Sequence, residues 1–162
     1  GGNDHAVQNA EGDIMKILAL DLGTKCGWAI DHTHRHGVWD LSVRHGESPG
    51  IRYIRFEKLL REVMTTGVDL VVYELVHRHE GTQAAHIYGG LLASLQRICD
   101  QNQVEYQGFG VAEIKKHATG KGNANKEMMI EAARKSYPSA TIEDDNVADA
   151  LHLLSLARIR CS

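Results

Sequence analysis

Apolar positions follow two patterns along the chain, first that of consecutive strands and then that of alternating helices and strands. Residues 16–22, K-I-L-A-L-D-L, form a short apolar segment followed by the turn residues Gly23 and Thr24, which is typical of a buried strand. Residues 26–30 are predicted to be its hairpin partner, and residues 38–43 a weaker third strand. These three segments predict an antiparallel meander.

Beyond the meander, helical and strand patterns alternate. Phe56, Leu59, Leu60 and Val63 recur at i, i+3, i+4 and i+7, which marks one face of an amphipathic helix. The remaining predicted elements are a strand at 69–73, a helix at 82–100, a strand at 104–107, and helices at 112–117, 126–136 and 145–159. Because strands that alternate with helices imply parallel crossovers, we expect an α/β fold. Its five-stranded mixed sheet combines the antiparallel meander with parallel strands and is covered by helices.

Length and composition narrow the class of protein. A chain of 162 residues fits one domain, and residues 1–14 read as a polar, disordered leader or expression remnant, so 15–162 are expected to form a single domain. No apolar segment approaches the ~18 residues that span a bilayer, so no membrane association is expected. The three cysteines, Cys26, Cys99 and Cys161, lack C-x-x-C spacing, which favours a reducing compartment, the cytoplasm, over a disulfide framework.

Charge is distributed less evenly than the net value of −3 indicates. Acidic residues gather near the last predicted helix, and basic residues gather just before it; they are Glu143, Asp144, Asp145 and Asp149, and Lys115, Lys116, Lys121 and Lys126. An acidic site beside a basic strip suits a metal-dependent nuclease, because phosphate contacts need only a local positive surface. Two solvated helix faces would give the same pattern, so charge alone leaves both interpretations open.

Three carboxylates stand out because each belongs to an apolar element. Asp21 and Glu74 end apolar strands, whereas Asp149 lies inside an Ala/Leu-rich helix that could pack across those strand ends. Two like charges ~4 Å apart repel by about 4 kcal/mol at an effective dielectric constant of ~20, so such a cluster needs cations or protons. No Arg or Lys lies directly beside Asp21 or Glu74 in sequence, and Mg²⁺ prefers oxygen ligands of this kind. The combination therefore predicts a metal site.

Each carboxylate also has a structural explanation when it is taken alone. Asp21 is compatible with a turn residue, Glu74 with the end of a strand, and Asp144 or Asp145 with the N-cap of the last helix. Asp149 is the hardest to explain structurally, because an Asp between two apolar stripes is rarely buried without a partner.

Four segments resemble the successive motifs of RuvC-type Holliday junction resolvases, particularly the phage-associated branch. They are L-A-L-D-L-G-T-K-C-G-W-A, V-V-Y-E, I-K-K-H-A-T-G-K-G-N-A-N-K and D-D-N-V-A-D-A-L, and the resemblance as a whole covers nearly all of residues 15–158. The resemblance implies an RNase H-like fold, a homodimer, and Mg²⁺-dependent paired, symmetric nicking of four-way DNA junctions in a bacterial cell or phage-infected host. Two Mg²⁺ ions are expected in each site, with Mn²⁺ able to substitute.

By position, the resemblance implies that Asp21, Glu74 and Asp149 bind metal. The family commonly places a fourth carboxylate three residues before the last Asp, where this chain has Asn146. Asp145 lies on the same helical face as Asp149 and is the preferred fourth ligand, whereas Asn146 would coordinate through its amide oxygen.

The resemblance also assigns residues that contact DNA. Lys115 and Lys126 match two family lysines that act on the scissile phosphate or the DNA backbone, and Lys126 is counted among the catalytic residues. The predicted DNA contacts are Lys115, Lys116, Lys121 and Asn123 in the basic segment, and His77 and Arg78, which stand where the family often has an aromatic wedge.

Several other interpretations remain open. A related nuclease acting on flaps, branched DNA or RNA–DNA hybrids would use the same carboxylates, and a junction-binding protein could have lost catalysis through Asn146. The first motif also resembles the phosphate loop of actin-like ATPases, which need two such lobes. Histidines, notably His32, His34, His36 and the pair His77 and His79, raise the possibility of zinc but lack the spacing of structural zinc sites. Gly89 and Gly90, within a predicted helix, suggest a close helix approach across a dimer interface.

Overall fold

Five strands form one mixed sheet in the computed structural model, which describes residues 8, 9, 12, 14–31 and 35–161. The strands are β1 (Ile17–Asp21), β2 (Lys25–Ile30), β3 (Arg35–Asp40), β4 (Leu70–Leu75) and β5 (Glu105–Gly110), in the spatial order β3-β2-β1-β4-β5. β1, β2 and β3 pair antiparallel, whereas β4 pairs parallel with both β1 and β5. The predicted meander with added parallel strands is confirmed.

Helices cover both faces of this sheet. They are α1 (Ile51–Met64), α2 (Thr82–Gln101), α3 (Val111–Thr119), α4 (Lys126–Ser136) and α5 (Asp145–Arg160). Successive side chains of a strand alternate between faces. Accordingly, Ile17 and Ala19 of β1 pack in the core formed with α3, α4 and α5, whereas Leu18 and Leu20 pack in the core formed with α1 and α2.

This alternation decides where the strand-end carboxylates lie. β1 and β4 are aligned so that Leu20 pairs with Tyr73, which places Asp21 and Glu74 at the same level. Asp21 lies two residues after Ala19, and Glu74 lies two residues after Val72. Side chains two residues apart in a strand share a face, so both carboxylates belong to the face covered by α5.

The third strand lies earlier in the chain than predicted. The apolar pattern placed it at residues 38–43, whereas β3 ends at Asp40 because its register with β2 pairs Lys25 with Asp40. Beyond that pair, the Asp40 carboxylate accepts a hydrogen bond from the Ser42 backbone N–H at 3.0 Å, which turns the chain away from the sheet. Leu41 is fully buried there, so its apolar character reflects core packing outside the strand. β5 differs in the opposite direction: it continues past residue 107, where it was predicted to end, as far as Gly110.

The two helical glycines have different surroundings. A Cβ added at Gly90 would lie 2.5 Å from the Tyr53 ring of α1, whereas one added at Gly89 would meet nothing within 4 Å. The close helix approach predicted for this pair therefore occurs within the chain, between α1 and α2, at Gly90. The dimer interface suggested for these glycines has no support from Gly90, because its close neighbour is Tyr53 of the same chain.

Of the first 14 residues, the structure describes four. Gln8 and Ile14 form an isolated antiparallel bridge, and Asn9 donates a hydrogen bond to Asp69 at 3.5 Å. Cys26, Cys99 and Cys161 are free thiols. Among the described helices, none has the length and apolar character required to span a bilayer.

Candidate metal centre

Asp21, Glu74 and Asp149 meet at the carboxyl end of β1 and β4. One carboxylate oxygen from each lies within 4.8 Å of the others, and all three side chains are half-buried. Asp21 and Glu74 come from adjacent parallel strands, and Asp149 comes from the first turns of α5. The structure therefore brings together three of the four carboxylates that the sequence singled out.

A glycine in β2 lets α5 approach closely enough to join this cluster. Gly27 pairs with Asp21 across β1 and β2. A Cβ at position 27 would lie 2.0 Å from the backbone carbonyl oxygen of Asn146, so any side chain there would displace the start of α5. Asp144 caps the helix, because its carboxylate accepts a hydrogen bond from the Val147 backbone N–H at 3.2 Å.

The electrostatics of the cluster disfavour three full negative charges. Removal from water raises the pKa of Asp21 well above its usual value, and the charges of Asp149 and Glu74 raise it further. Burial, followed by Glu74 and Asp145, raises the pKa of Asp149 to about 7. Burial also raises the pKa of Glu74, although Lys115 opposes that shift. These carboxylates share a site that a cation or protons must neutralise.

Two lysines partly offset the negative charge of the carboxylates. Lys115 of α3 is half-buried and lowers the pKa of both Glu74 and Asp149, so a cation does lie near the cluster although none is adjacent in sequence. Lys126, the first residue of α4, is exposed, and its Nζ lies 3.5 Å from Asp145 Oδ2. Lys126 also lowers the pKa of Asp149. Both lysines therefore line the cluster from the α3–α4 side.

The two candidates for a fourth ligand differ in their contacts. Asp145 lies outside the group of three and forms the ion pair with Lys126, although its charge still raises the pKa values of Asp21 and Asp149. Asn146 packs its backbone carbonyl against Gly27. The described geometry therefore places Asp145 outside the group of three and shows Asn146 only through its backbone contact with Gly27.

The other predicted DNA contacts lie on the surface around this centre. Lys116, Lys121 and Asn123 are exposed at the end of α3 and in the loop before α4. α3 ends at Gly120, whose φ of 84° is the left-handed conformation that glycine adopts without strain. His77 and Arg78 are exposed in the loop that follows Glu74.

The histidines do not assemble a zinc site in the part of the chain that the structure describes. The group of possible ligands found there contains carboxylates alone. His79 instead contacts the ring of Tyr88, with 5.0 Å between ring centroids. His32 and His34 lie outside the described residues.

The donor chemistry of the centre fits a hard divalent cation. All three groups offer carboxylate oxygens, the ligands that Mg²⁺ and Mn²⁺ bind in proteins. Burial and mutual repulsion raise the pKa values of Asp21 and Asp149, and the nearby Lys115 and Lys126 only partly oppose the shift of Asp149, which favours a bound cation. The residues present therefore fit a magnesium-type ion.

Two residues that position the site were not singled out in the sequence. Gly27 had a recognisable signal, since a glycine inside a strand often marks a close backbone approach. Tyr88 had none: its hydroxyl donates to the Glu74 carbonyl at 2.6 Å and accepts from the Val76 N–H at 3.2 Å, which fixes the chain on both sides of Leu75.

Solved structures of known function share this fold. T. thermophilus RuvC in complex with Holliday junction substrate is similar with a TM-score of 0.73 and 19% identity, over 90% of this chain and 94% of that one. The yeast mitochondrial Holliday junction resolvase Ydc2 has a TM-score of 0.55 and 11% identity, over 94% of this chain and 79% of its own. Fowlpox virus resolvase with Holliday junction DNA has a TM-score of 0.54 and 16% identity, over 91% and 100%.

No protein-family model matches the chain, and no curated protein sequence does. The structural likeness shows that the chain shares the fold of these solved resolvases, as the resemblance of its motifs implied.

Proposed function

We propose that this protein is a Holliday junction resolvase, a Mg²⁺-dependent, structure-specific endonuclease that makes paired symmetric nicks in four-way DNA junctions. The observation that carries the proposal is the cluster of Asp21, Glu74 and Asp149 at the carboxyl end of β1 and β4. The protein shares its fold with three resolvases that match it with TM-scores above 0.5, and two of those structures contain junction DNA.

Asp21, Glu74 and Asp149 would hold the metal, and Asp145 is our preferred fourth ligand, with Asn146 as the alternative. A pair of Mg²⁺ ions bound by such carboxylates supplies an activated water and stabilises the leaving oxygen of a phosphodiester. Asp145 would become available by exchanging its exposed partner Lys126 for the cation.

The chain itself supplies orientation and charge. The half-buried Lys115 lies close enough to Glu74 and Asp149 to lower their pKa values, so it can also donate to a phosphate that approaches the carboxylates. Lys126 is exposed and can leave Asp145 to contact the same strand of DNA. Lys116, Lys121 and Asn123 extend this positive edge along the backbone, where contacts with phosphates position DNA without selecting sequence.

The loop after Glu74 would contact the branch point of the junction. His77 and Arg78 are exposed there, and an arginine can stack on an unpaired base or contact phosphates. Paired nicks require two active sites, so we propose that the active species is a homodimer.

One cleavage assay tests the proposal. The protein is incubated with a synthetic four-way junction, a flap, a linear duplex and an RNA–DNA hybrid, each with Mg²⁺ or with EDTA. We expect symmetric nicks in the junction with Mg²⁺ alone. Preferred cutting of the flap or hybrid would favour a related nuclease, and binding of the junction without cutting would favour a protein that has lost catalysis.

Matched aspartate variants localise the chemistry. Asp21→Asn and Asp149→Asn should abolish cutting while junction binding is retained, because each removes one ligand charge and little volume. Asp100→Asn is the control, since Asp100 is exposed at the end of α2, beside the start of β4 and away from the carboxyl ends of the strands. Full activity of either site variant would refute the metal assignment.

A further inference from the structure

A cavity lies beside the segments that follow β1 and β4, on the face of the sheet that carries α1 and α2. Its volume is about 560 Å³, within the range of roughly 300–1,000 Å³ that is typical of ligand sites. The turn at residues 22–24, which directly follows Asp21, forms one wall. Val76, two residues after Glu74, and the first turns of α2 form the opposite wall.

Arg52 of α1 is the unusual residue in this cavity. It is 9% exposed, which is rare for an arginine without an ionic partner. Its Nε donates to the Leu41 carbonyl at 3.0 Å, and no carboxylate of the described residues forms an ion pair with its guanidinium. Glu80 also lines the cavity, but it is exposed and lies beyond ion-pairing distance of Arg52.

The terminal guanidinium nitrogens of Arg52 have no hydrogen-bond partner among the described residues but are accessible to solvent, so they are free to bind an anion. Arginine offers five N–H donors, and the single bond to Leu41 uses one of them. A phosphate accepts from two of these donors at once, which is the geometry that arginine provides and lysine does not.

The topology relates this cation to the lysines already described. Lys115 and Lys126 approach the carboxylates from the face that carries α3, α4 and α5, whereas Arg52 belongs to the face that carries α1 and α2. Asp21 and Glu74 belong to the α5 face, but they lie at the strand ends, next to the turn residues Leu22 and Gly23 and to Val76, which line the cavity on the other face. A DNA backbone that crosses the carboxylates therefore meets positive charge on both sides.

We propose that this cavity binds one nucleotide of the DNA substrate, with the phosphate on the Arg52 guanidinium. The assignment rests on the proposed function for its ligand, nucleic acid. The apolar and aromatic part of the wall, which includes Ile87 and His79, receives the sugar and base. Tyr88 holds this wall in place through its hydrogen bonds to both sides of Leu75 and its contact with the His79 ring.

The salt dependence of DNA binding tests the proposal. Binding of a four-way junction, and separately of a short oligothymidylate, is measured in EDTA over a range of salt concentrations. Arg52→Met keeps the buried aliphatic stem and removes the phosphate contact. We expect about tenfold weaker binding and a salt slope shallower by about 0.7–0.9, the value for one phosphate.

Three further variants separate this role from a structural one. Arg52→Lys restores charge without the bond from Nε to Leu41, so it should recover most of the wild-type slope. Ala84→Phe places a bulky ring in the cavity while Arg52 and its bond to Leu41 remain, and it should weaken binding about as much as Arg52→Met. Arg61→Met removes an exposed charge at the far end of α1 and should leave the slope unchanged.

The outcomes distinguish this proposal from the function on which it rests. If Arg52→Met binds with the wild-type affinity and slope while the wild type cuts junctions, the cavity assignment is wrong and the function stands. If Arg52→Lys and Arg52→Met reduce the thermal stability and the salt slope by equal amounts, the role of Arg52 is only its structural hydrogen bond to Leu41, and the proposal is overturned. If the wild type cuts no junction but binds oligothymidylate with an Arg52-dependent slope, the cavity assignment stands and the resolvase function fails.

Discussion

The two ends of α5 meet the same sheet with opposite electrostatics. Near its first residue, Asp149 faces Asp21 at the carboxyl end of β1, a pairing of like charges. Near its last residue, Arg158 forms an ion pair with Asp31, which directly follows β2 at the opposite end of the sheet. Both pairs are partly buried and join the same helix to the same pair of strands.

The difference separates a structural contact from a functional one. The pair of Arg158 and Asp31 is neutral as it stands, so it can hold the end of α5 without any further component. The pair of Asp149 and Asp21 opposes folding unless a cation or protons are added. A like-charge pair in an otherwise well-packed interface is therefore the part of α5 that stability does not explain.

Asp149→Asn should break the functional end with the largest effect. We expect junction cleavage to fall by more than about 100-fold, since even outer-shell partners of a metal commonly contribute 10–100-fold. The same change removes a repulsive charge, so the melting temperature of the metal-free protein at pH 8 should rise by a few degrees. Calorimetric melts in EDTA and a junction assay in Mg²⁺ measure the two effects. A fall in both would mean that Asp149 mainly supports the fold.

Gly27→Ala tests the packing that positions the functional end. The new Cβ would lie 2.0 Å from the Asn146 carbonyl oxygen, so the start of α5 must shift away from β2. We expect a loss of about 1–3 kcal/mol in the free energy of unfolding, as for other overpacked sites, together with reduced cleavage. Denaturant unfolding measures the first effect. Gly23→Ala is the control for unfolding, because a Cβ at Gly23 would meet nothing within 4 Å. Equal losses in the free energy of unfolding of the two variants would contradict the argument from close approach.

Arg158→Met should break the structural end with a smaller effect. Because the pair is intermediate in burial, we expect a loss of about 1–2 kcal/mol, between the values for exposed and buried ion pairs. Cleavage per folded molecule should remain unchanged. Thermal unfolding combined with the junction assay checks both statements, and a selective loss of cleavage would show that the two ends are coupled.

The pH dependence of stability sharpens the comparison without removing either contact. Asp149 has a folded-state pKa of about 7 against 3.8 for the ordinary group, so between these values the native protein binds more protons than the unfolded chain. The metal-free protein should therefore lose stability as pH rises from about 4 to 7. Asp149→Asn should flatten this decline, and Mg²⁺ should oppose it by binding the native state. Melts in EDTA across this range measure the slope; an unchanged slope in the variant would remove Asp149 as its source.

The strand and helix order could be predicted because local patterns determined it. Residues 16–22 and 69–73 are largely apolar over the length of a strand. The carboxylates at the ends of these strands lie on the face set by the alternation of side chains along each strand. The limits of β3 could not be predicted, because Leu41 is as apolar as a strand residue but is buried by packing after the turn at Asp40.

The parts of the site that depend on contacts distant in sequence were not predicted. Lys115 was expected to contact DNA, but its proximity to Glu74 and Asp149 depends on how α3 packs beside α5. The positions of Tyr88 and Arg52 depend on how α2 and α1 cover the sheet, and neither residue belongs to a motif. The juxtaposition of Asp21 with Asp149 could be predicted because Asp149 lies in an apolar helix that can pack across the strand ends, and the motif resemblance links the same two residues.

The most direct test of the central claim is a calorimetric titration of the DNA-free protein with Mn²⁺ at pH 8. If the functional end of α5 is a metal site, the wild type should bind Mn²⁺, and Asp21→Asn and Asp149→Asn should each lose that binding while remaining folded. Asp31→Asn, at the structural end, should bind Mn²⁺ as the wild type does. Equal Mn²⁺ binding by the wild type and both site variants would contradict the account.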